Sequence, residues 1–367
     1  MISISKSNAL LVALIVFTIL SSVIGRALLV PLLYIPIYVT VILLFISAGR
    51  VVYSKFFISF FLLVLFIQLT SVQNIIDINS SAIYLLMWLM NVFVAYVVVY
   101  YDRSNFIIKA ISNYGIFLII SMILMLLIGI SPSDFYGGIG ININLVAFIV
   151  VISFYYSYLH NGKNMYIPLS LTFLLTGSRM QILMVATFYC SKLLKYKAFK
   201  IILLVSILIG LYPVFDMLKD QPIIMDFYSL FIQNSFSFSE KMNDKRRIYL
   251  LVSAIEVIRN MFPFGTGLGL ENFKFYAHHY LSLVYSGDAR LSMTHNFYLS
   301  YLSMLGVMFF PLLAKLVYPL FFKSHYRLLL LIFLVGIAFN EYITSPFFWV
   351  VYGMSIKLAL LKEYSHV

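Results

Sequence analysis

Few side chains in this sequence can do chemistry, since only 10% of its 367 residues are charged. Those that can stand at the ends of long apolar runs. Arg26 and Arg179 each sit alone in a very short turn between two such runs. A charge near the centre of a bilayer is expensive, and much less so at its interface. Arg26 fits a side chain whose stem snorkels to the headgroups. Arg179 follows Gly177 and Ser178, which break the helix at that point, and reads as a functional cation. Gly265-Thr266-Gly267-Leu268-Gly269 admits two uses. Its backbone amides can form an anion-binding nest, or its glycines can let two helices pack closely, the use preferred here. No strand precedes it and no βαβ unit surrounds it, which excludes a dinucleotide site. His295-Asn296 opens the next apolar run, where polar groups must find partners or line an aqueous cavity. His278 and His279 are adjacent and point to different helix faces, against a shared metal. The single cysteine, Cys190, excludes an intrachain disulfide and a cysteine-rich metal site.

The elements that must position these residues are membrane spans. Hydrophobic residues make up 63% of the chain, and the mean hydropathy is +1.00. A soluble domain carries about 25% charged residues, far more than this chain. A helix needs about 20 apolar residues to cross the hydrocarbon. Spans are expected at 8–24, 28–48, 56–73, 81–100, 112–130, 139–159, 165–177, 180–194, 199–216, 294–314, 327–343 and 347–361. The short pair at 165–177 and 180–194 is either one bent helix or two tilted ones. Lys6 precedes the first apolar run, Asn8–Gly25, with no convincing cleavage pattern after it, so that run is expected to stay as an uncleaved helix.

With the N-terminus in the cytoplasm and the spans alternating, the inside receives fifteen of the 25 lysines and arginines but two of the 13 acids, Asp102 and Glu363. That is the positive-inside asymmetry, and it places both termini in the cytoplasm. The net charge of +12 is thereby a topology signal, and no basic patch remains for nucleic acid. The fold class is an all-α polytopic membrane protein of about twelve transmembrane helices. A large, partly helical external loop separates helices nine and ten. The expected divisions are 1–216, the loop 217–293, and 294–367. Within the loop, 217–245 reads as irregular. The stretch 246–260 reads as an amphipathic helix with Ile248, Leu251, Val252, Ile255 and Ile258 on its apolar face. Pro263 ends that helix, and a second helical run covers roughly 270–285.

Three pieces in order resemble the O-antigen polymerase/ligase superfamily of bacterial membrane proteins, with its Wzy-type polymerases and WaaL-type ligases. Leu175-Thr176-Gly177-Ser178-Arg179 is similar to its Thr-x-Ser-Arg turn. Arg246-Arg247-Ile248-Tyr249-Leu250-Leu251, running into Pro263-Phe264-Gly265-Thr266-Gly267, is similar to its Arg-x-x-x-Leu helix and Pro-x-Gly-x-Gly turn. His295-Asn296-Phe297-Tyr298-Leu299, with Gly306 beyond, is similar to its His-Asn-x-x-Leu span start. The motifs cover about 139–320. Ligases usually carry a further histidine two positions ahead of the His-Asn pair, where this chain has Met293. That departure favours polymerase over ligase.

The resemblance implies an inner-membrane glycosyltransferase. Its donor would be a polyprenyl-diphosphate-linked oligosaccharide, its acceptor a sugar hydroxyl, and its reaction face the periplasm. A chain-length regulator is an expected protein partner beside the membrane lipids. A departing diphosphate suits arginine, whose planar guanidinium pairs phosphate oxygens bidentately and stays charged. Arg179 and Arg247 are the catalytic candidates, with Arg246 as a binding alternative, since Arg246/Leu250 and Arg247/Leu251 both fit the pattern. Arg247 is preferred because it lies one turn before Leu251 in the apolar stripe. His295 would accept the acceptor proton, an imidazole having a reference pKa near 6.5. Asn296, Ser178, Gly265 and Gly267 complete the expected substrate contacts. The external turns contain no Asp-x-Asp pair and the first has no acid, so no metal and no cofactor are expected. A ligase acting on lipid A–core is the near alternative. A lipid-linked oligosaccharide flippase is the distant one, disfavoured because no internal repeat of transporter type is evident.

Overall fold

Uncharged runs of Leu, Ile, Val and Phe leave the backbone no polar solvent, so its amides and carbonyls must pair within each segment, as a helix does. The computed structural model describes residues 34–132, 135–136, 143–161, 179–193, 243–281, 296–338 and 342–364, and no strand occurs among them. The helices are α1 (Ile35–Ala48), α2 (Lys55–Thr70), α3 (Ile78–Tyr100), α4 (Phe106–Leu127), α5 (Ile143–Asn161), α6 (Arg179–Leu193), α7 (Asn243–Met261), α8 (Leu270–Leu281), α9 (Phe297–Leu305), α10 (Phe309–Val317), α11 (Arg327–Ile337) and α12 (Pro346–Tyr364). Among the described residues, four helical stretches are long and apolar enough to cross a membrane: Ile78–Tyr100, Phe106–Leu127, Ile143–His160 and Phe297–Phe321. α1, α2, α11 and Pro346–Leu361 of α12 are shorter apolar helices. The expected spans 8–24, 165–177 and 199–216 lie outside the described residues, as do 217–242 and 282–295 of the expected loop region. Where described, each other expected span overlaps helix, the one at 294–314 as two helices, α9 and α10, joined by a 3-10 turn.

The chain groups into two units. The first comprises Met1–Ile67, Tyr84–Phe188 and Phe310–Val367, and the second Gln68–Ile83 and Tyr189–Phe309. In the first, α4 and α5 pack together through small residues. The Cα of Gly115 meets the Ser153 side chain so closely that any Cβ there would overlap the Ser153 hydroxyl. That hydroxyl donates to the Ser112 carbonyl at 2.7 Å and to Ile149 at 3.1 Å. Lipid offers no hydrophobic force between apolar helices, so close approach and such hydrogen bonds hold them. Edge-to-face rings fill the interior, Trp88 on Trp349 with centroids 5.5 Å apart and Phe148 on Phe333 at 4.6 Å. The opposite side of α4 exposes Phe117, Ile120, Ile123, Leu124 and Leu127. An apolar face of that size suits acyl chains rather than water.

Several buried polar groups in this unit are partnered. Asn91, inside α3, accepts from the Tyr38 hydroxyl at 3.0 Å and donates to the Thr344 carbonyl at 2.7 Å. Asp102, buried between α3 and α4, accepts the Phe106 and Ile107 amides at 2.6 and 3.0 Å and so closes the start of α4. Lys357 of α12 donates to the Asp102 carbonyl oxygen and, at 2.8 Å, to Asn105. Lys315 of α10 donates to Ser59 of α2 at 2.7 Å and lies 4.5 Å from the Phe56 ring centroid.

Candidate functional site

The expected span at 294–314 is helical but broken. Asn296 caps α9: its backbone is extended (φ −132°, ψ 109°) and its Oδ1 accepts the Leu299 amide at 3.1 Å. That contact gives Asn296 a capping role, because a cap side chain reaches the amide three residues on. Gly306 then takes φ 55° and ψ −133°, and a 3-10 turn, Gly306–Met308, separates α9 from α10. In an unbroken helix the Ser303 and Met304 carbonyls would accept from residues 307 and 308. Here they accept instead from the Thr266 amide at 3.1 Å and the Gly267 amide at 2.9 Å, while the Val307 amide donates to the Pro263 carbonyl at 2.8 Å. The 263–267 turn thus runs along the break and pairs the groups it frees.

Two glycines make this approach possible. A Cβ on Gly265 would overlap the Met304 carbonyl, and one on Gly306 would overlap the Pro263 carbonyl. Both residues also hold positive φ, 73° at Gly265 and 55° at Gly306, where L side chains are strained. The Gly265 amide donates to the Met261 carbonyl at 2.9 Å. The amides of Gly265 and Gly267 are therefore occupied, and the turn serves the packing use foreseen for it rather than an amide nest.

A second clamp comes from residues 71–81, between α2 and α3. Fully buried Asn272 accepts the Ile76 and Asp77 amides at 2.9 and 2.7 Å. It donates to the Ser81 hydroxyl at 2.7 Å and the Leu268 carbonyl at 2.9 Å. Asn74 donates to the Gly265 carbonyl at 2.7 Å, and the Tyr276 hydroxyl donates to the Asn74 carbonyl at 3.0 Å. Asp77 caps α3 by accepting the Ser80 amide at 3.0 Å, which starts that helix at Ile78 rather than near 81. Within the second unit these bonds join the 74–81 stretch to residues 265–276. Sequence reasoning missed Asn74 and Asn272. The available signal was the polar run Gln73-Asn74 and Asn79-Ser80-Ser81 between two apolar helices.

α7 packs on α8 and α9. Its buried side chains are Leu250, Ser253, Ala254 and Val257, while Leu251, Ile255 and Ile258 are half-buried. This corrects the expected apolar stripe, which is rotated by about one residue. Small Ser253 and Ala254 let the neighbouring helices come close, an advantage that a count of large apolar residues overlooks. The side chains of Ile248 and Val252 lie outside the description. In register, Arg246 is one turn before buried Leu250, and Arg247 one turn before half-buried Leu251. The backbone places both arginines near the start of α7.

Arg179 is the first residue of α6 and belongs to the first unit. Ser178 and His295 lie outside the described residues, and His295 directly precedes the Asn296 cap in sequence. The second unit brings together Gly265, Gly267, Asn296's helix and the arginine-bearing α7. Among the described residues no group of three or more His, Cys, Asp and Glu side chains is arranged to hold a metal ion. His278 and His279 are both exposed on α8.

The family model described as O-antigen ligase matches residues 165–314, which run from the expected span before α6 into α10 and include all three motif regions. Comparisons with curated proteins and with solved structures give no match. Together with a helical chain carrying long apolar spans, the match over 165–314 supports the O-antigen polymerase/ligase superfamily as the family of this membrane protein.

Proposed function

We propose that the protein is a bacterial surface-polysaccharide polymerase. It transfers a growing glycan from polyprenyl diphosphate to the sugar hydroxyl of a lipid-linked repeat unit, at the periplasmic face of the inner membrane. The family match over 165–314 supports a polymerase- or ligase-type glycosyl transfer. The observation that carries the narrower reading is the His295-Asn296 motif, in which Met293 stands where ligases usually have a second histidine.

In this reading the acceptor oxygen attacks the donor's anomeric carbon as the carbon–oxygen bond to diphosphate breaks. The diphosphate leaves with the electron pair, and His295 takes the acceptor proton. Arg179 and one of Arg246 and Arg247 stabilise the departing charge. A unit charge pair at about 4 Å gains on the order of 4 kcal/mol at an effective dielectric near 20, so two such contacts support departure without a metal. The paired helix break beneath Asn296 supplies a fixed floor for a sugar-binding surface, with Gly265 and Gly267 positioning that floor.

Purified protein in vesicles should lengthen a lipid-linked repeat unit without added metal. His295→Ala and Arg179→Ala should each lower the rate on the order of 100-fold, the usual loss when a transition-state contact is removed. Full activity in both variants would sink the mechanism. Arg246→Ala and Arg247→Ala, assayed side by side, decide which arginine serves, and two fully active variants would remove α7 from the chemistry. The second reading, a ligase acting on lipid A–core, draws on the description of the matching family. A deletion strain separates the two. Loss of a polymerase leaves single repeat units on the core, and loss of a ligase leaves none.

A further inference from the structure

A cavity of 610 Å3 opens within the first unit where four chain segments meet. Arg103 and Asn105 come from the α3–α4 turn, His160 from the end of α5, His325 and Tyr326 from the start of α11, and Lys357 from α12. The charge count assigns all four segments to the cytoplasmic side. Among the described residues lining the cavity there are an arginine, a lysine and two histidines, and no carboxylate. The nearby Asp102 does not line the cavity; its carboxylate accepts the Phe106 and Ile107 amides and offsets part of the Lys357 charge from outside it. Lys357 uses two donors, on Asp102 and Asn105, and an ammonium has three.

Tyr326 supplies an independent sign of a ligand. It lines the cavity at 8% exposure, and among the described residues its hydroxyl has no hydrogen-bond partner. A buried hydroxyl left unpaired is costly, so the site is built for an acceptor. The remaining wall is apolar, from Leu159 and Met354 to the outward-facing Leu358 and Leu361. Cationic donors, an unpaired hydroxyl and an apolar wall together suit an amphiphile with an anionic head.

We propose that this cavity binds the phosphate headgroup of an anionic membrane phospholipid, with the acyl chains along Leu358 and Leu361. Arg103 and Lys357 supply charge, and the Tyr326 hydroxyl donates to a phosphate oxygen. The site is independent of the transfer reaction, and its failure would leave that reaction untouched.

The test is native mass spectrometry of the full-length protein in detergent, titrated with phosphatidylglycerol or phosphatidylcholine. Phosphatidylglycerol should be retained about tenfold more tightly, since the choline cation of phosphatidylcholine offsets its phosphate charge and is repelled by Arg103 and Lys357. Tyr326→Phe keeps the ring and should weaken it by about tenfold. Arg103→Gln, at an exposed position, should do the same with an unchanged melting temperature, and keeps the test decisive if Tyr326→Phe fails to fold. Equal retention of the two lipids, or wild-type affinity in the variants, overturns the proposal. Inorganic phosphate binding to wild type but not to Arg103→Gln, without lipid preference, also overturns it and assigns the site to free phosphate.

Discussion

Replacing Gly306 by alanine tests the paired helix break directly. The residue holds φ 55° and ψ −133°, a region nearly confined to glycine, where an L residue costs about 1–3 kcal/mol. The added methyl would also overlap the Pro263 carbonyl, which is backbone and cannot rotate aside. The 263–267 turn must then retreat, and three hydrogen bonds go with it: Thr266 to Ser303, Gly267 to Met304 and Val307 to Pro263. At about 0.5–1.5 kcal/mol each, and added to the strain, the loss comes to roughly 3–7 kcal/mol. Gly49→Ala is the matched control. Gly49 has φ 62° and nothing within 4 Å of an added Cβ, so it should lose only the strain, about 1–2 kcal/mol. Gly267→Ala should fall between them, because its Cβ would meet the Ile75 side chain at 2.8 Å and that side chain can move. Thermal unfolding of the detergent-purified protein should rank the variants Gly306, Gly267, Gly49 by damage. A Gly306→Ala protein as stable as Gly49→Ala would refute the docking of the turn on the break.

Asn272→Ala removes the acceptor of the Ile76 and Asp77 amides. Because both bonds are part-buried, it should cost about 2–4 kcal/mol and open the 71–81 stretch to limited proteolysis; an unchanged digestion pattern would count against the clamp. Asn296→Ala should lose about 1 kcal/mol as a broken cap, and Asn296→Ser should recover most of it. If the serine variant is stable yet inactive in the polymerisation assay, Asn296 also touches substrate; if stable and active, capping is its whole role. In a Cys190→Ser background, single cysteines at exposed Gln73 and His278 should label with an impermeant maleimide from one side of the membrane, and those at Arg103 and Lys323 from the other. Any other grouping breaks the alternation.

Helix positions were legible wherever apolar length decides them, because a bilayer leaves a helix the only satisfied choice for such runs. α4, α5 and α12 needed no further information. The interruption at Gly306 was not legible in hydropathy, since Leu305, Val307 and Met308 keep the run apolar. Its cause is the turn some forty residues earlier, whose amides replace the helix's own. The face of α7 was misread for a related reason. Hydrophobic periodicity picks the largest side chains, whereas helices in contact select small ones, here Ser253 and Ala254. Asn272 looked like an ordinary polar residue of an amphipathic helix, and only the fold brings the 76–77 amides to it.

The geometry divides the motif residues by role. Pro263, Gly265, Gly267 and Gly306 meet in one backbone contact, so their joint presence follows from packing and requires no substrate. Asn296 has a sufficient structural reason in the Leu299 amide. Such positions are poor guides to chemistry, however specific their spacing. For Arg246, Arg247, Arg179 and His295 the proposed reaction supplies the role. Leu250, Ser253, Ala254 and Val257 supply buried side chains of α7, and with Asn296 as the cap, capping gives no reason for His295. Residues that packing does not demand are the ones for which a reaction must be sought. On that ground the arginines and His295, rather than the glycines, should carry the loss of activity when the protein stays folded.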